Sequence, residues 1–138
     1  VIPESSDLMH WEIGDHGFAM GLSPLVPETV GTALLPWLRN WLKDQTIDLE
    51  EVKSWAIHPG GPKILSVCSE VLSLDPNLLL ESIDVLREHG NMSSATILFI
   101  LERVRRRTIV GPCLALAFGP GLSAEVALFE KLPALATN

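Results

Sequence analysis

Ser54-Trp55-Ala56-Ile57-His58-Pro59-Gly60-Gly61-Pro62-Lys63-Ile64-Leu65 is the stretch from which the rest of the chain is read. A short apolar run rich in strand formers (Trp55, Ala56, Ile57) stops at a histidine. Pro-Gly-Gly-Pro follows, and an apolar-periodic segment then begins. The pattern predicts a strand, a tight turn and a helix, with His58 at the carboxyl end of the strand. In open α/β sheets, ligands collect in the crevice outside those strand ends. Gly60 and Gly61 lack Cβ atoms, so backbone there can approach a ligand or take positive φ at little steric cost.

One histidine is more often structural than catalytic. A second stretch, Glu88-His89-Gly90-Asn91-Met92-Ser93-Ser94-Ala95, changes the weighing, with Asn91 placed 33 positions after His58. A neutral imidazole can accept a proton from a thiol or donate a hydrogen bond to a developing oxyanion. An asparagine amide also donates, and it cannot titrate away. Two neutral donors converging on one oxygen form an oxyanion hole. Asn91, just before an apolar helix, would also gain from the positive end of that helix dipole. A nucleophile is still needed, and no G-x-S-x-G elbow is present. On its residues, the chain carries half a site.

The length of 138 residues fits one domain, taken as 1–138. Seventeen Asp and Glu against ten Lys and Arg give a net charge of −7, a poor match to nucleic acid or an anionic membrane surface. No apolar run approaches a membrane span of roughly 18 residues, and the start shows no signal-peptide core, so a cytoplasmic location is expected. Cys68 and Cys113 fit a reducing compartment, and neither stands in a C-x-x-C pattern, so no metal site is expected. The first residue is Val1 and mean hydropathy is +0.30, which suggests a chain that lacks part of its protein or a partner surface.

Along the chain, Leu8 to Ile13 and Phe18 to Leu22 read as extended segments around Gly14-Asp15-His16-Gly17. Val30, Leu34, Leu35, Leu38 and Leu42 have helical spacing after Pro27, with Trp37 and Trp41 as packing residues. Pro36 should kink or divide that helix. A helical turn is expected at Asp48 to Val52. Ile64, Leu65, Cys68, Val71 and Leu72 predict a helix that buries Cys68 as a small hydrophobe. Another helix runs from Leu78 to His89, ended by Gly90. Ser93 or Ser94 should cap the next helix. Its run Ala95 to Leu101 is apolar on nearly every face, so the helix should be buried, with Arg103 and Arg105 to Arg107 as a solvated end. Leu114 to Phe118 reads as a central strand, turned by Gly119-Pro120-Gly121 into an antiparallel neighbour over Glu125 to Phe129. The fold class is α/β, a mixed sheet packed against helices.

Three motifs resemble the C-terminal half of type III polyketide synthases, the chalcone and stilbene synthase family of the thiolase superfamily. They are W-A-I-H-P-G-G-P-K-I-L (55–65), V-L-R-E-H-G-N-M-S-S-A (85–95) and A-F-G-P-G-L-S-A-E (117–125). The opening I-G-D-H-G-F-A-M-G-L-S-P-L-V-P resembles the bacterial branch, and the likeness covers nearly the whole chain in the family's order. Related ketoacyl synthases usually read H-Q-A-N and G-N-T-S at these places.

The resemblance implies a thiolase-like half and a Cys-His-Asn site in which His58 and Asn91 are the second and third members. The cysteine belongs to an N-terminal half absent from this sequence. It implies acyl-CoA and malonyl-CoA as substrates, decarboxylative Claisen chemistry, no cofactor beyond the CoA thioesters, and a homodimer at full length. Phe118, Gly119, Pro120 and Gly121 match the family's cavity-shaping G-F-G-P-G loop, with Ala117 in place of its first glycine. Ser93 matches a cavity-lining position, and Met20 stands where plant members carry a gating phenylalanine. Gly60, Gly61 and Lys63 lie where the pantetheine arm should pass. The segment from Arg107 to Pro112 is shorter than in plant members, so flavonoid-type cyclisation is not implied. Two other readings stand beside this one: a starter-condensing ketoacyl synthase of the same superfamily, and a non-catalytic truncated module that only pairs with a partner half.

Overall fold

A computed structural model of the chain describes residues 2–131. A hairpin comes first, β1 (Met9–Gly14) and β2 (Gly17–Leu22), turned by Gly17 at φ 134°. Its register pairs Met9 with Leu22, Trp11 with Met20 and Ile13 with Phe18, so one face is a ladder of apolar pairs. That face is open, with Ile13 83% and Phe18 72% exposed. Met20 is part of it.

Helix α1 (Val26–Asp44) starts with proline in its first turn and buries Val26, Val30, Leu34, Leu38 and Leu42 along one line. Pro36 does not divide it, contrary to the expectation from sequence. The proline lies on the exposed side, and so does Thr32, whose carbonyl loses its helical partner to the ring. Water can meet that carbonyl, and the buried leucines hold the two segments in line.

A 3₁₀ turn over Leu49–Glu51 is closed by a capping box of Asp48 and Glu51. It leads into β3 (Ser54–Ile57), in which every residue is buried. Then come α2 (Pro62–Val71), α3 (Leu80–His89) and α4 (Ala95–Arg106). The described residues end on β4 (Gly111–Gly119) and β5 (Ser123–Lys131), joined by a turn with Gly121 at φ 73°. The strand order is β3-β4-β5, parallel between β3 and β4 and antiparallel between β4 and β5, the mixed sheet expected.

Strand alternation sorts the core into two. Trp55, Ile57, Leu114 and Leu116 join the buried lines of α1 and α2. Ala56, Cys113 and Ala115 pack instead with Val85 of α3 and Ile100 and Val104 of α4. The sheet is therefore covered on both faces, by large side chains on one and small ones on the other.

The helix after Gly-Asn-Met-Ser-Ser forms where expected but is not buried all round. Thr96, Ile100 and Val104 face the sheet, while Leu98 is 65% and Phe99 47% exposed. A helix presents only one side to a sheet, and an apolar residue on the other side stays out unless something else covers it.

Proline is about 3 kcal/mol less favourable than alanine inside a helix. Pro36→Ala should therefore raise the chain's unfolding free energy, by about 1–3 kcal/mol once packing near Trp37 is allowed for. A denaturant midpoint that stays level or falls would show that the ring's contacts outweigh its backbone cost.

Candidate active site

His58 leaves the end of β3 with its backbone N–H donating to the Leu116 carbonyl at 2.8 Å. The preceding amide, of Ile57, donates to Ser82 Oγ at 3.1 Å. The ring is half-buried, and that burial pushes its pKa below the ordinary 6.5. It is therefore a neutral imidazole at neutral pH, with one N–H to donate and one nitrogen to accept.

The loop after it runs over Pro59 and Gly60 to Gly61, which is extended at φ −176° and precedes Pro62 at the head of α2. Neither glycine takes the positive φ that the sequence allowed for. A Cβ at Gly61 would meet no atom within 4 Å, so what glycine supplies there is a low, open surface. Lys63 is exposed in the first turn of α2.

Asn91 reaches this loop from the other motif. Gly90 ends α3 at φ 71°, and the Asn91 side chain then makes two bonds. Its Oδ1 accepts the Ser93 N–H at 2.8 Å, and its Nδ2 donates to the Gly60 carbonyl at 3.3 Å. The first bond decides which end of the amide is oxygen, so the NH₂ group faces the His58 loop. An NH₂ group carries two hydrogens, and Gly60 engages one.

The Ser93 and Ser94 hydroxyls do not cap α4. The turn is held from inside the helix instead: Thr96 Oγ1 accepts the Met92 N–H at 2.8 Å, and the Thr96 N–H donates to the Ser93 carbonyl at 3.1 Å. Ser93 sits at φ 58°, which makes its own hydroxyl a poor reach for the helix end. Ser82 and Thr96 have no exposed surface. They were readable only as polar residues at core positions, Ser82 three after Leu79 and Thr96 opening an apolar run.

The remaining expected residues gather less closely. Gly119 closes β4, with Pro120 and Gly121 following at the same end of the sheet as His58, and β1 packs against that turn, while Met20 lies on the open face of the hairpin. The Phe118 ring faces the α1 side, in an apolar cavity of about 260 Å³ with Ile2, Ala33, Leu34 and Trp37. A wider hollow of about 630 Å³ lies between α2 and α3. Neither hollow contains His58 or Asn91. Their walls are mainly apolar, whereas the Asn91 amide bonds to the open loop that begins at His58.

Burial raises the Cys68 thiol to about 12, and Cys113 is buried in the second core. Cys68 is therefore no nucleophile at neutral pH. Among the described residues, no three His, Cys, Asp or Glu side chains group to hold a metal, and no helix is long and apolar enough to cross a membrane.

Beside the site, α3 and α4 are fastened by two ion pairs. Arg103 meets Glu88 at 2.6 Å, and Arg107 meets Glu81 at 3.1 Å and the Asn77 carbonyl at 3.2 Å. Arg103 holds the Glu88 carboxyl below its usual range. Arg105 and Arg106 both bind Glu102 and bring its pKa down to about 2.

The family model described as chalcone and stilbene synthases, C-terminal domain, matches residues 1–133. A 1,3,6,8-tetrahydroxynaphthalene synthase of Streptomyces peucetius subsp. caesius is 36% identical over 133 residues, 94% of this chain and 35% of that protein. Polyketide synthase 37 of Dictyostelium discoideum is 30% identical over 96% of this chain, which is 5% of its own length. Among solved structures, the crystal structure of PKS-I from the brown alga Ectocarpus siliculosus superimposes with a TM-score of 0.87 at 25% identity, covering 95% of this chain and 37% of that one. The chain thus spans about a third of the Streptomyces relative and far less of the Dictyostelium one. With the layered sheet above, this likeness makes the fold a thiolase-like half.

Two measurements check the electrostatics. NMR titration should place the His58 imidazole below 6.5. Above that value the ring leaves stability unchanged; as pH falls through it, the unfolded chain takes up the proton first and stability declines, a slope that His58→Gln removes. Cys68, with a pKa of about 12, holds roughly one thiolate in ten thousand at pH 8, so iodoacetamide should leave it unmodified until the chain unfolds.

Proposed function

Because the chain belongs to the chalcone and stilbene synthase family, through its C-terminal domain, we propose that it is one half of a polyketide-forming acyltransferase. It supplies His58 and Asn91 to a Cys-His-Asn site whose cysteine lies in an N-terminal half. The observation that carries this reading is the Asn91 amide. Tied by its oxygen to Ser93 and by one hydrogen to Gly60, it turns its NH₂ toward the loop that begins at a neutral His58.

Next to a thiol, a neutral imidazole takes the proton and leaves a thiolate–imidazolium pair, the form that attacks an acyl-CoA carbonyl and expels CoA. CoA leaves with the imidazolium proton, which restores the neutral ring, and the acyl-cysteine thioester waits for the extender. Malonyl-CoA then loses CO₂, and the electrons of the broken C–C bond pass into an enolate. Donors from His58 and Asn91 stabilise the enolate oxygen as its charge develops. The enolate carbon attacks the acyl-enzyme, the C–S bond to cysteine breaks, and the chain is longer by two carbons. The thioester supplies the activated carbonyl and loss of CO₂ the driving force, so the reading asks for no cofactor beyond CoA thioesters. Gly60, Gly61 and Lys63 flank the path of the pantetheine arm, the glycines low and the lysine a cation at its edge. Ser93, Met20 and the turn at Gly119 to Gly121 border the cavity, with Phe118 packing behind it.

The partner half covers the apolar face of the hairpin and the Leu98–Phe99 side of α4, and the intact enzyme is a homodimer in the cytoplasm. Exposed apolar ladders of this kind are surfaces that another chain covers. Cys68 and Cys113, both buried, suit a reducing compartment. A starter-condensing ketoacyl synthase remains the second reading, distinguished by a preference for carrier-protein extender units. That the Cys68 thiol is inert supports a chain inactive on its own, whether as half of an enzyme or as a pairing module.

In the intact enzyme, His58→Ala and Asn91→Ala should each reduce malonyl-CoA decarboxylation by about 10²–10³. Near-normal decarboxylation in both would sink the assignment. The chain alone, incubated with acyl-CoA and malonyl-CoA, should show no acyl adduct by intact mass; an adduct on Cys68 or Cys113 would mean that it carries its own nucleophile.

A further inference from the structure

We infer that Ser82 and Thr96, two hydroxyl side chains with no exposed surface, are positioning residues, one for His58 and one for Asn91. The inference rests on the Cys-His-Asn reading and extends it to residues that never touch substrate.

Among the described residues, β3 has a strand on one side only. Successive strand amides point in opposite directions, so the His58 N–H meets the Leu116 carbonyl of β4 while the Ile57 N–H points to the free edge. Ser82 of α3 receives it there. Two consecutive amides, of Ile57 and His58, are thus held from opposite sides, which fixes the His58 backbone at the strand end. The hydroxyl lies 25 positions along the chain from the amide it meets, so the bond also sets α3 against β3.

Thr96 does the matching work across the sheet end. Its Oγ1 accepts from the Met92 amide, its own amide donates to the Ser93 carbonyl, and the Ser93 amide donates to Asn91 Oδ1. Ser93 is held at φ 58°, a conformation that a serine adopts only where its surroundings impose it. The neighbouring serines give α4 no side-chain cap, which leaves Thr96 as the group that holds the turn from the helix side. Asn91 itself is exposed and spans to Gly60 over 3.3 Å, a long bond that would not hold the amide by itself.

The test separates orientation from mere stability. In the intact enzyme, kcat and KM for malonyl-CoA decarboxylation are measured for Thr96→Val, Thr96→Ser and Asn91→Ala, and for Thr96→Val on the Asn91→Ala background. Ser82→Ala is measured in the same way, with and without His58→Ala. Thr96→Val should lower kcat by about tenfold to a hundredfold with KM little changed, and Thr96→Ser should keep the wild-type rate. On the Asn91→Ala background, Thr96→Val should cost nothing more, because the group that it aims is gone; Ser82→Ala should behave alike on His58→Ala. An unchanged kcat in Thr96→Val and Ser82→Ala, or the same fractional loss on both backgrounds, overturns the inference. Should Thr96→Val fail to fold, Thr96→Ser decides: a retained rate supports the hydroxyl's role, and a lost one assigns the residue to packing. If His58→Ala and Asn91→Ala themselves leave the rate untouched, the functional reading fails, a result distinct from the failure of the positioning step alone.

Discussion

The parallel pairing of β3 with β4 constrains everything else in this chain. Parallel neighbours cannot be joined by a tight turn, so the chain has to travel over the sheet and back before β4 can enter. That journey is made by α2, α3 and α4, and it brings two loops to the same end of the sheet, one after β3 and one before α4. The side chains agree with the route. Trp55 and Ile57 fill one face of β3 against α1 and α2, and Ala56 with Ala115 leaves the other face shallow, where α4 seats Ile100 and Val104. His58 and Asn91 are far apart in sequence, yet one carbonyl, that of Gly60, bridges their loops.

Much of this was legible because the signals are local. Four-residue spacing in α1, Gly90 closing α3, the turn of β1 into β2 and the burial of Cys68 each depend on residues a turn or two apart, and each appears in the fold. Two motifs and a resemblance singled out His58 and Asn91, and the structure adds the Asn91 bond to the loop after His58. Where local reasoning went astray, a tertiary fact had overruled it. Pro36 breaks a hydrogen bond, but on the watered side of a helix anchored by five buried residues. Leu98 and Phe99 made α4 look buried because a sequence does not say how many walls surround a helix. The serines looked like caps by type and position, until the positive φ at Ser93 passed the role inward to Thr96.

The arginine run at the end of α4 divides in a way its composition hides. Arg105 and Arg106 lie over Glu102 of their own helix, the solvated end that was expected. Arg103 and Arg107 cross to α3, and Arg107 with Glu81 is largely withdrawn from water. Exposed pairs contribute about 0–1 kcal/mol, so the three that face water are no account of stability. Their geometric effect is clearer. Two crossings of a helix pair at separated points leave little freedom of rotation, and the loop between those helices is the one that bears Asn91.

The open ladder on the first hairpin also decides how this chain behaves as a colloid. Trp11, Ile13, Phe18, Met20 and Leu22 make a sticky face that molecules in solution can press together. Opposing that contact is a net charge of −7, a repulsion felt over about 8 Å at physiological ionic strength and over much less in concentrated salt. It vanishes altogether near the isoelectric point of 5.0. The same acidity that argued against a nucleic-acid partner is thus what keeps such a surface dispersed. Mild alkalinity and low salt therefore strengthen the repulsion that opposes contact through this face, and acid removes it.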